Sequence, residues 1–373
     1  MKKKPSLGLM VIMLMFPQIV ETIYSPALSA ISQTFAVSNA QAAQTLSIYF
    51  SAFAVGVAVW GVLADRWGRR PAMLAGLLIY ACAAWVATQT DHFMVLMIAR
   101  AFSAFGIAVG SIVTQTMLRD VFDGEALAKV FSVMGLGIAI SPIIGMFSGG
   151  QLMQAGGHQA VFFTLFAMAI GLLFYNYVHL PETQSEKSPL NLRSLSIQML
   201  KDGHIWQSAC LIALYNVALF AYYQLGGFHF AALGFTPAQF GYSGLVLGLG
   251  SLLGSSCNPY LLSKGIAQHH LLKGASLLCV TGATGVYLLL NSVAFLAPLV
   301  LIVMAFGIAI PNVLGMALRD YSAYAGSAGA LFGLLYYLLI GCGLSLAGSL
   351  QHLGVVLIVC SLGILFVTAA RQV

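Results

Sequence analysis

Charged residues are scarce in this chain of 373 residues. Asp, Glu, Lys and Arg together make up 7% of it, whereas hydrophobic residues make up 60%. A typical soluble domain carries roughly 25% charged residues, and so few could not cover a surface that faces water. The composition therefore excludes a secreted protein, a cytosolic enzyme and a nucleic-acid-binding protein.

Motifs for metals, nucleotides and disulfides are also missing. No Cys-x-x-Cys pair occurs and all six cysteines fall within apolar runs, so neither a disulfide framework nor a zinc site is predicted. No Gly-x-x-x-x-Gly-Lys-Ser/Thr loop is present, so ATP is not the energy source. The eight histidines have no Cys or acid at ligand spacing, and only His229 stands out for testing. We expect no metal, no cofactor and no catalytic residues.

Long apolar runs are what the chain has instead. About 20 apolar residues cross a bilayer as a helix, and twelve such runs can be identified. The first follows Lys2, Lys3 and Lys4 like a signal peptide, but it is too long for one and we take it as a retained helix. The predicted spans are 7–29, 42–64, 72–90, 93–117, 130–152, 160–180, 206–230, 240–262, 271–290, 293–317, 327–350 and 353–370.

The distribution of basic residues predicts the orientation. With the N-terminus in the cytoplasm, fifteen of the sixteen Lys and Arg residues fall on the cytoplasmic side, and the predicted outer loops hold none. This is the positive-inside pattern, and it also explains the net charge of +6, which faces anionic lipid. We predict a multi-pass protein of a bacterial inner membrane with both termini in the cytoplasm.

A polar stretch divides the chain near its middle. Residues 181–205 are predicted to form a cytoplasmic linker between two six-helix bundles, 1–180 and 206–373. A weak internal echo supports two related halves, since Leu118-Arg119-Asp120 closes the fourth span and Leu318-Arg319-Asp320 closes the tenth. Repeated bundles are common in secondary transporters. The predicted fold is an all-α membrane protein of twelve transmembrane helices.

The strongest local motif lies between the second and third spans. It runs from Gly61 to Pro71 and contains Asp65, Arg66, Gly68, Arg69 and Arg70. Gly61 permits close helix approach and Gly68 a tight turn. Asp65 could pair with the arginines or with the positive N-terminus of a neighbouring helix, which would make a cytoplasmic latch. The alternative is a basic loop that only sets topology.

This segment resembles motif A of the major facilitator superfamily. Arg100 with Gly106 resembles motif B, and Leu180-Pro181-Glu182-Thr183 resembles the end of the sixth span in that family. The first span is similar to that of the Bcr/CflA multidrug subfamily, most of all its EmrD-type members, on the residues Gln18, Thr22-Ile23-Tyr24 and Pro26-Ala27-Leu28. The residues that resemble motif C, which is associated with antiporters, are Gly137, Ser141, Pro142, Gly145, Gly149 and Gly150.

The resemblance implies a drug/proton antiporter that works by alternating access. Motif A would stabilise the outward-open state through a contact between Asp65 and the start of the eleventh span near Gly326. Motif C would let the fifth span pack against the eighth. From the residues alone, the glycines of the fifth span form a small-residue face beside Pro142, which suits close packing, with or without a role in gating.

Two ionisable residues lie deep in predicted spans. Glu21 is the only acid there, and Arg100 the only base. A charge at membrane depth is costly and is by default a functional hypothesis, so we assign proton coupling to this pair and expect them to interact directly or through water. The alternatives are a structural hydrogen bond or a substrate contact for Glu21, and an Arg100 that only snorkels along its helix. Relatives in the subfamily often carry the acid one position later, where this chain has Thr22.

The resemblance also suggests which residues line a substrate cavity. In this superfamily the first, fourth, seventh and tenth spans surround it. Aromatic and Met side chains offer adaptable apolar contacts and cation–π surfaces, although aromatic residues in membrane helices often face lipid or pack. The candidates are Gln18, Tyr24, Tyr49, Gln115, Met117, Tyr215, Asn216, Tyr223, Gln224, Asn312 and Tyr336.

We therefore expect a monomeric proton-coupled exporter of lipophilic or cationic drugs, driven by the proton gradient. One alternative is a proton-coupled or facilitated transporter of a specific small metabolite. A second is a non-transporting membrane sensor, which the lack of a soluble signalling domain disfavours. An integral-membrane enzyme is least compatible with the sequence, because no Ser/His/Asp or metal-binding cluster is present.

Overall fold

The structure, a computed structural model, describes residues 5–184 and 192–370, apart from the side chains of residues 128, 132, 192–194 and 322–326. Almost all of these residues are helical, and no strand occurs among them. The helices are α1 (Leu7–Ile23), α2 (Leu28–Thr34), α3 (Asn39–Trp67), α4 (Arg69–Gln89), α5 (Phe93–Val121), α6 (Gly124–His179), α7 (Leu192–Lys201), α8 (Gly203–Ala232), α9 (Pro237–Ser263), α10 (Gln268–Leu289), α11 (Leu296–Ala317), α12 (Ala325–Leu350) and α13 (Leu353–Ala370).

Eleven continuous helical segments of the described chain are long and apolar enough to cross a membrane. One of them, α6, has 56 residues, which at 1.5 Å per residue would be about 84 Å long, whereas a bilayer core is about 30 Å thick. The helix breaks at Gly156 and at Gly157, whose φ is 66°. Its two arms match the predicted fifth and sixth spans, which makes twelve crossings.

The first crossing is longer than the predicted span 7–29. Pro26 interrupts it, so α1 ends at Ile23 and a short 3-10 turn, Ser25–Ala27, leads into α2. The helix α3 starts earlier than predicted because Ser38 and Gln41 form a capping box at its N-terminus. Within the predicted linker 181–205, residues 192–201 form α7 and α8 already begins at Gly203; residues 185–191 lie outside the described residues.

The two ends of the helix bundle differ in charge. We call the end where Arg66, Arg119 and Lys264 lie the basic end, and the end with the loops around residues 35–38, 90–92 and 233–236 the opposite end. We call residues 7–179 the N-terminal half and residues 203–370 the C-terminal half. The halves meet along α3 with α12 and along the first arm of α6 with α9, and these contacts enclose the residues considered next.

Candidate functional site

Glu21 and Arg100 are both buried in the helix bundle, each with 1% of its surface exposed. Glu21 lies near the C-terminal end of α1, and Arg100 lies in the first half of α5. Among the described residues, Glu21 is the one buried acid. The structure therefore confirms that both charges lie deep in the spans, where burial in an apolar medium is costly.

Two tyrosine rings cover the faces of the Arg100 guanidinium. Its Cζ atom lies 4.1 Å from the ring centroid of Tyr24 and 4.6 Å from that of Tyr49, within range of a cation–π interaction. The Tyr24 hydroxyl donates to Thr45 Oγ1 at 2.9 Å. The Tyr49 hydroxyl and the Nε and Nη2 atoms of Arg100 are buried without a hydrogen-bond partner. The aromatic rings hold the cation by its faces, while its Nε and Nη2 atoms donate no hydrogen bond.

Glu21 and Arg100 do not form the direct ion pair that was one of the expected arrangements. No salt bridge within 4.0 Å joins them in the described part of the chain, although each lies in the electrostatic field of the other. The stacking of Arg100 on Tyr24 and Tyr49 explains the difference, because the rings hold the guanidinium on α3 and the end of α1. The two charges are neighbours that form no ion pair and that share Tyr49 in their surroundings.

Aromatic side chains from both halves lie within electrostatic range of Glu21. Tyr49, Tyr223, Tyr336 and Tyr337 all lie in the electrostatic field of its carboxylate. The ring centroids of Tyr336 and Tyr337 are 4.5 Å apart. Further rings extend this group, in the pairs Phe53–Tyr337, Phe50–Phe220 and Phe220–Tyr223. Of the predicted cavity residues, Tyr24, Tyr49, Tyr223 and Tyr336 are thus brought together around the Glu21–Arg100 pair.

Two predicted cavity residues are used in contacts between helices. Gln224 donates from Nε2 to Ala43 O and Leu344 O, and Asn312 donates to Asn258 Oδ1 at 2.7 Å. Amides at these positions satisfy buried acceptors in the bundle, where an unpaired polar group would be costly. Their role as substrate contacts is not supported by these bonds.

The other predicted cavity residues hydrogen-bond within their own helices or are buried within their own half. Asn216 and Gln115 hydrogen-bond within their own helices, to Ile212 O and Ser111 Oγ. Tyr215 is buried near Cys279 in the C-terminal half, and Met117 is buried in α5. The main-chain carbonyl of half-buried Gln18 accepts from Thr22 Oγ1. These positions stay predictions for a substrate path.

The motif between α3 and α4 forms a network at the basic end of the N-terminal half. Arg69 makes an ion pair with Asp65 and donates from Nε to Asp120 Oδ2 at 3.0 Å. The Asp65 side chain is 61% exposed, and Arg66 is exposed as well. The side chains near Gly326 lie outside the described residues, so the predicted contact of Asp65 with that region stays a prediction. Gly61 does approach α12, with Ala330 Cβ 3.9 Å from where its own Cβ would be.

The glycines of the first arm of α6 contact two different helices. A Cβ at Gly149 would lie 2.2 Å from Ile23 O, and one at Gly145 would lie 3.0 Å from Ile19 O, so both glycines pack against α1. Gly137 also faces α1, at Val11 and Met15. Only Gly150 of this set packs against α9, at Gly241. The first arm of α6 does pack against α9, as the resemblance to motif C implied. Of these glycines Gly150 makes that contact, whereas Gly137, Gly145 and Gly149 pack against α1, and Pro142 lies inside the same arm.

Comparison with known proteins identifies the family of this fold and site. A sequence profile described as Major Facilitator Superfamily matches residues 10–345. This chain belongs to the major facilitator superfamily. An uncharacterized transporter of Rickettsia felis is 28% identical over 340 residues, covering 86% of this chain and 83% of that protein. Multidrug resistance protein D of Escherichia coli K12 is 28% identical over 192 residues, covering 51% of this chain and 49% of that protein.

A solved structure shows the same fold. The crystal structure of a D-xylose–proton symporter superposes with a TM-score of 0.73 at 14% identity, covering 96% of each chain. The predicted fold class, the resemblance to this superfamily and its drug-transporting members, and the assignment as a transporter rather than an enzyme are confirmed. The chain is a multi-pass membrane protein.

Glu182 is a site residue whose contacts were not anticipated from the sequence. Its carboxylate accepts hydrogen bonds from the backbone N–H groups of Arg69 and Arg70, both at 3.0 Å. It thereby caps α4, whose own N-cap residue, Gly68, has no side chain to do so. Partial burial acts to raise the pKa of Glu182, but hydrogen bonds from Gln184, Arg70, Arg69 and Thr183 outweigh burial and hold that pKa below its ordinary value. No local sequence signal links positions 113 residues apart.

No group of three or more His, Cys, Asp or Glu side chains suited to a metal ion is found among the described residues. His229, which the sequence marked for testing, has its Nε2 atom 2.7 Å from Leu290 O and its ring 5.2 Å from that of Phe295. The structure places it in the packing of the opposite end. It has a structural contact there.

Proposed function

We propose that this protein is a proton-coupled antiporter that exports lipophilic or cationic drugs by alternating access. The observation that carries the proposal is the buried Glu21 carboxylate, which lies within electrostatic range of tyrosines of both halves and forms no ion pair with Arg100. Such a carboxylate can hold either a proton or a cationic ligand, while the aromatic rings provide an apolar and cation-binding wall. Competition between the two ligands would couple them.

The resistance protein of Escherichia coli named above supports drugs as the substrates. The charge-poor surroundings of Glu21 suit lipophilic molecules better than sugars or phosphates, because these would need several polar partners. Arg100 is positioned by Tyr24 and Tyr49 to limit how strongly Glu21 holds its proton, since a nearby positive charge favours the ionised carboxylate. In this proposal Glu21 exchanges a proton for the cationic ligand, and the positive charge of Arg100 sets how readily it does so.

The proton gradient is sufficient as the driving force. A charge that crosses the membrane gains about 2.3 kcal/mol per 100 mV, so roughly 150 mV supplies about 3.5 kcal/mol. At 1.4 kcal/mol per tenfold ratio, one proton would sustain a gradient of a few hundred-fold for a neutral solute. A monovalent cation exported for one proton is driven only by the pH difference. No cofactor is required.

The basic end is proposed to face the cytoplasm of a bacterium, with the protein acting as a monomer in the inner membrane. The support for this orientation is the concentration of Lys and Arg at that end. Export then means that substrate binds while the bundle is open towards the basic end. The opposite end, where Gln224 and Gly150 join the halves, is the outer gate.

The test is transport by the protein reconstituted in liposomes with an imposed pH gradient. We expect Glu21→Gln to abolish the response of lipophilic-cation export to the gradient, while binding of the cation persists. Glu125→Gln is the matched control, because Glu125 is an exposed acid in the first turn of α6. Undiminished pH-driven export by Glu21→Gln would remove Glu21 from the mechanism, and gradient-driven uptake in place of export would favour a metabolite symporter.

A further inference from the structure

We propose that Gln224 is a latch that holds the opposite end of the transporter closed and connects this closure to the helix that carries Glu21. The residue is fully buried in α8. Among the described residues it joins three helices through one side-chain amide. The inference goes beyond the proposed function, because it concerns how the two halves are held together and not what they transport.

The hydrogen bonds of Gln224 cross the boundary between the halves. Its Nε2 atom donates to Ala43 O at 2.9 Å and to Ser47 Oγ at 3.1 Å, both on α3 of the N-terminal half. It also lies 3.0 Å from Leu344 O, on α12 of its own half. Two N–H groups are thus shared among three acceptors, and its Oε1 atom is buried without a partner. The bonds to α3 cannot persist when the halves separate at this end.

A second amide makes a similar contact beside it. Gln44, on α3, donates from Nε2 to Ser345 O on α12 at 3.0 Å. Gly348 makes room for both amides, since a Cβ there would lie 3.0 Å from Gln224 Nε2 and 3.1 Å from Gln44 Nε2. One amide from each half therefore binds main-chain oxygens at the same turn of α12. The close contact of Gly150 with Gly241 closes the other side of this end.

The residue next to the latch contacts the helix segment that follows Glu21. The main-chain carbonyl of Tyr223 accepts a hydrogen bond from Ser25 Oγ. Ser25 follows Glu21 by four residues, about one helical turn, and the Tyr223 side chain lies in the electrostatic field of Glu21. Movement of α8 away from α3 would therefore disturb the Gln224 bonds and the Ser25–Tyr223 bond together. This arrangement lets a change of occupancy at Glu21 alter the stability of the closed end.

Hydrogen–deuterium exchange measured by mass spectrometry tests the latch on the full-length protein in lipid nanodiscs, without substrate or gradient. We expect Gln224→Leu to speed exchange at least tenfold in the segments 39–48 and 225–236 of the opposite end, which corresponds to about 1.4 kcal/mol. Gly348→Ala should act in the same direction, because its Cβ would displace both amides. The basic end should exchange no faster than in the unsubstituted protein.

Asn176→Leu is the matched control. Asn176 is also a fully buried amide, but it donates to Leu172 O and contacts Met13 Sδ, both within the N-terminal half. Exchange in 39–48 and 225–236 should not respond to it. Equal responses to Asn176→Leu and Gln224→Leu would show general destabilisation and overturn the latch, as would unchanged exchange in Gln224→Leu.

The variant Gln224→Glu tests the hydrogen bonds of the latch with a side chain of nearly the same volume. An ionised carboxylate cannot donate to Ala43 O or Leu344 O, whereas a protonated one can donate a single bond. Relative to the unsubstituted protein measured at the same pH, exchange at the opposite end should therefore be faster at alkaline pH and nearly equal at acidic pH. A ratio of exchange rates, variant to unsubstituted protein, that does not change with pH would contradict the latch. Because no substrate is present, such a failure would leave the transport test of Glu21→Gln untouched.

Discussion

At the scale of single residues, two tyrosines that stack on the same arginine differ in the hydrogen bonding of their hydroxyl groups. Tyr24 and Tyr49 both cover the Arg100 guanidinium, yet only the hydroxyl of Tyr24 has a partner, Thr45. The ring of Tyr49 thus stabilises the buried cation, while its hydroxyl stabilises nothing within the described structure. Substitutions that remove the hydroxyl alone separate these contributions.

We expect Tyr24→Phe to lower the free energy of unfolding by about 1 kcal/mol, the usual net contribution of an internal hydrogen bond. Tyr49→Phe should change it very little, because the Tyr49 hydroxyl has no bond to lose. Tyr49→Leu should cost about 1–2 kcal/mol, because a cation–π contact of a buried Arg is lost. Unfolding in detergent followed by intrinsic fluorescence measures all three. Equal losses for both Phe variants would contradict this assignment of the hydroxyls.

The importance of Glu21 and Arg100 could be predicted from the sequence because charges are so rare within its apolar runs. Their separation could not be predicted. Whether an arginine pairs with an acid or stacks on tyrosines depends on the rotation of α1, α3 and α5 about their axes, which a hydrophobic run does not specify. The same holds for Gln224, whose partners are main-chain oxygens. Any residue can supply such an oxygen, so no side-chain pattern marks it.

At the scale of elements, the structure depends on how closely α6 approaches α1. The carbonyl of Ile23 leaves no room for a side chain at Gly149, where a Cβ would be 2.2 Å away. Gly135, in the same arm of α6, has no atom within 4 Å of its Cβ position. The sequence predicts a small-residue face on this helix. It does not predict which helix packs against that face, because this depends on how the helices are arranged in three dimensions.

Gly149→Ala is expected to destabilise the protein by about 1–3 kcal/mol, because the new methyl group forces α1 and α6 apart. Gly135→Ala should be neutral or stabilising by up to about 1 kcal/mol, since alanine is the better helix former and meets no obstacle. Thermal unfolding of the purified variants distinguishes the two. A similar loss in both would show that helix flexibility, and not the contact with α1, is what the glycines provide.

The cap that Glu182 places on α4 has a defined pH dependence. Because its folded pKa lies below the ordinary value, its stabilising contribution is present above the unfolded pKa and is lost as pH falls through the folded pKa. We expect Glu182→Gln to cost about 1 kcal/mol at neutral pH, as for the loss of a helix cap. The difference from the unsubstituted protein should shrink towards acidic pH. A difference that grows on acidification would contradict the cap.

At the scale of the whole molecule, the number of crossings was the most predictable property. Each run is about as long as a bilayer is thick and each connection is short, so length and hydropathy alone separate the spans. The fifth and sixth spans are joined in the single helix α6, which is too long for one crossing. The helix breaks at Gly156 and Gly157, and this break separates the two spans. The positive-inside pattern then predicts which end faces the cytoplasm. How the halves close on one another was beyond this kind of argument.

Twelve crossings predict that the two sides of the molecule can be labelled separately. A cysteine at Ser263, exposed at the basic end, should react with a membrane-impermeant maleimide only after the cell membrane is opened. A cysteine at Asn39, exposed at the opposite end, should react in intact cells once the outer membrane is made permeable. The unsubstituted chain supplies the background from its own cysteines. In intact cells, a tag after residue 370 should be as inaccessible to impermeant reagents as the cysteine at position 263.

An eleven-crossing chain, with α6 as a single span, gives a different result. It would place this tag and Ser263 on the side of the membrane opposite to a tag before residue 7. That outcome would place Lys264 on the side of the membrane opposite to Arg66 and Arg119, so the basic end would no longer be one side of the protein and the proposed direction of export would be lost with it.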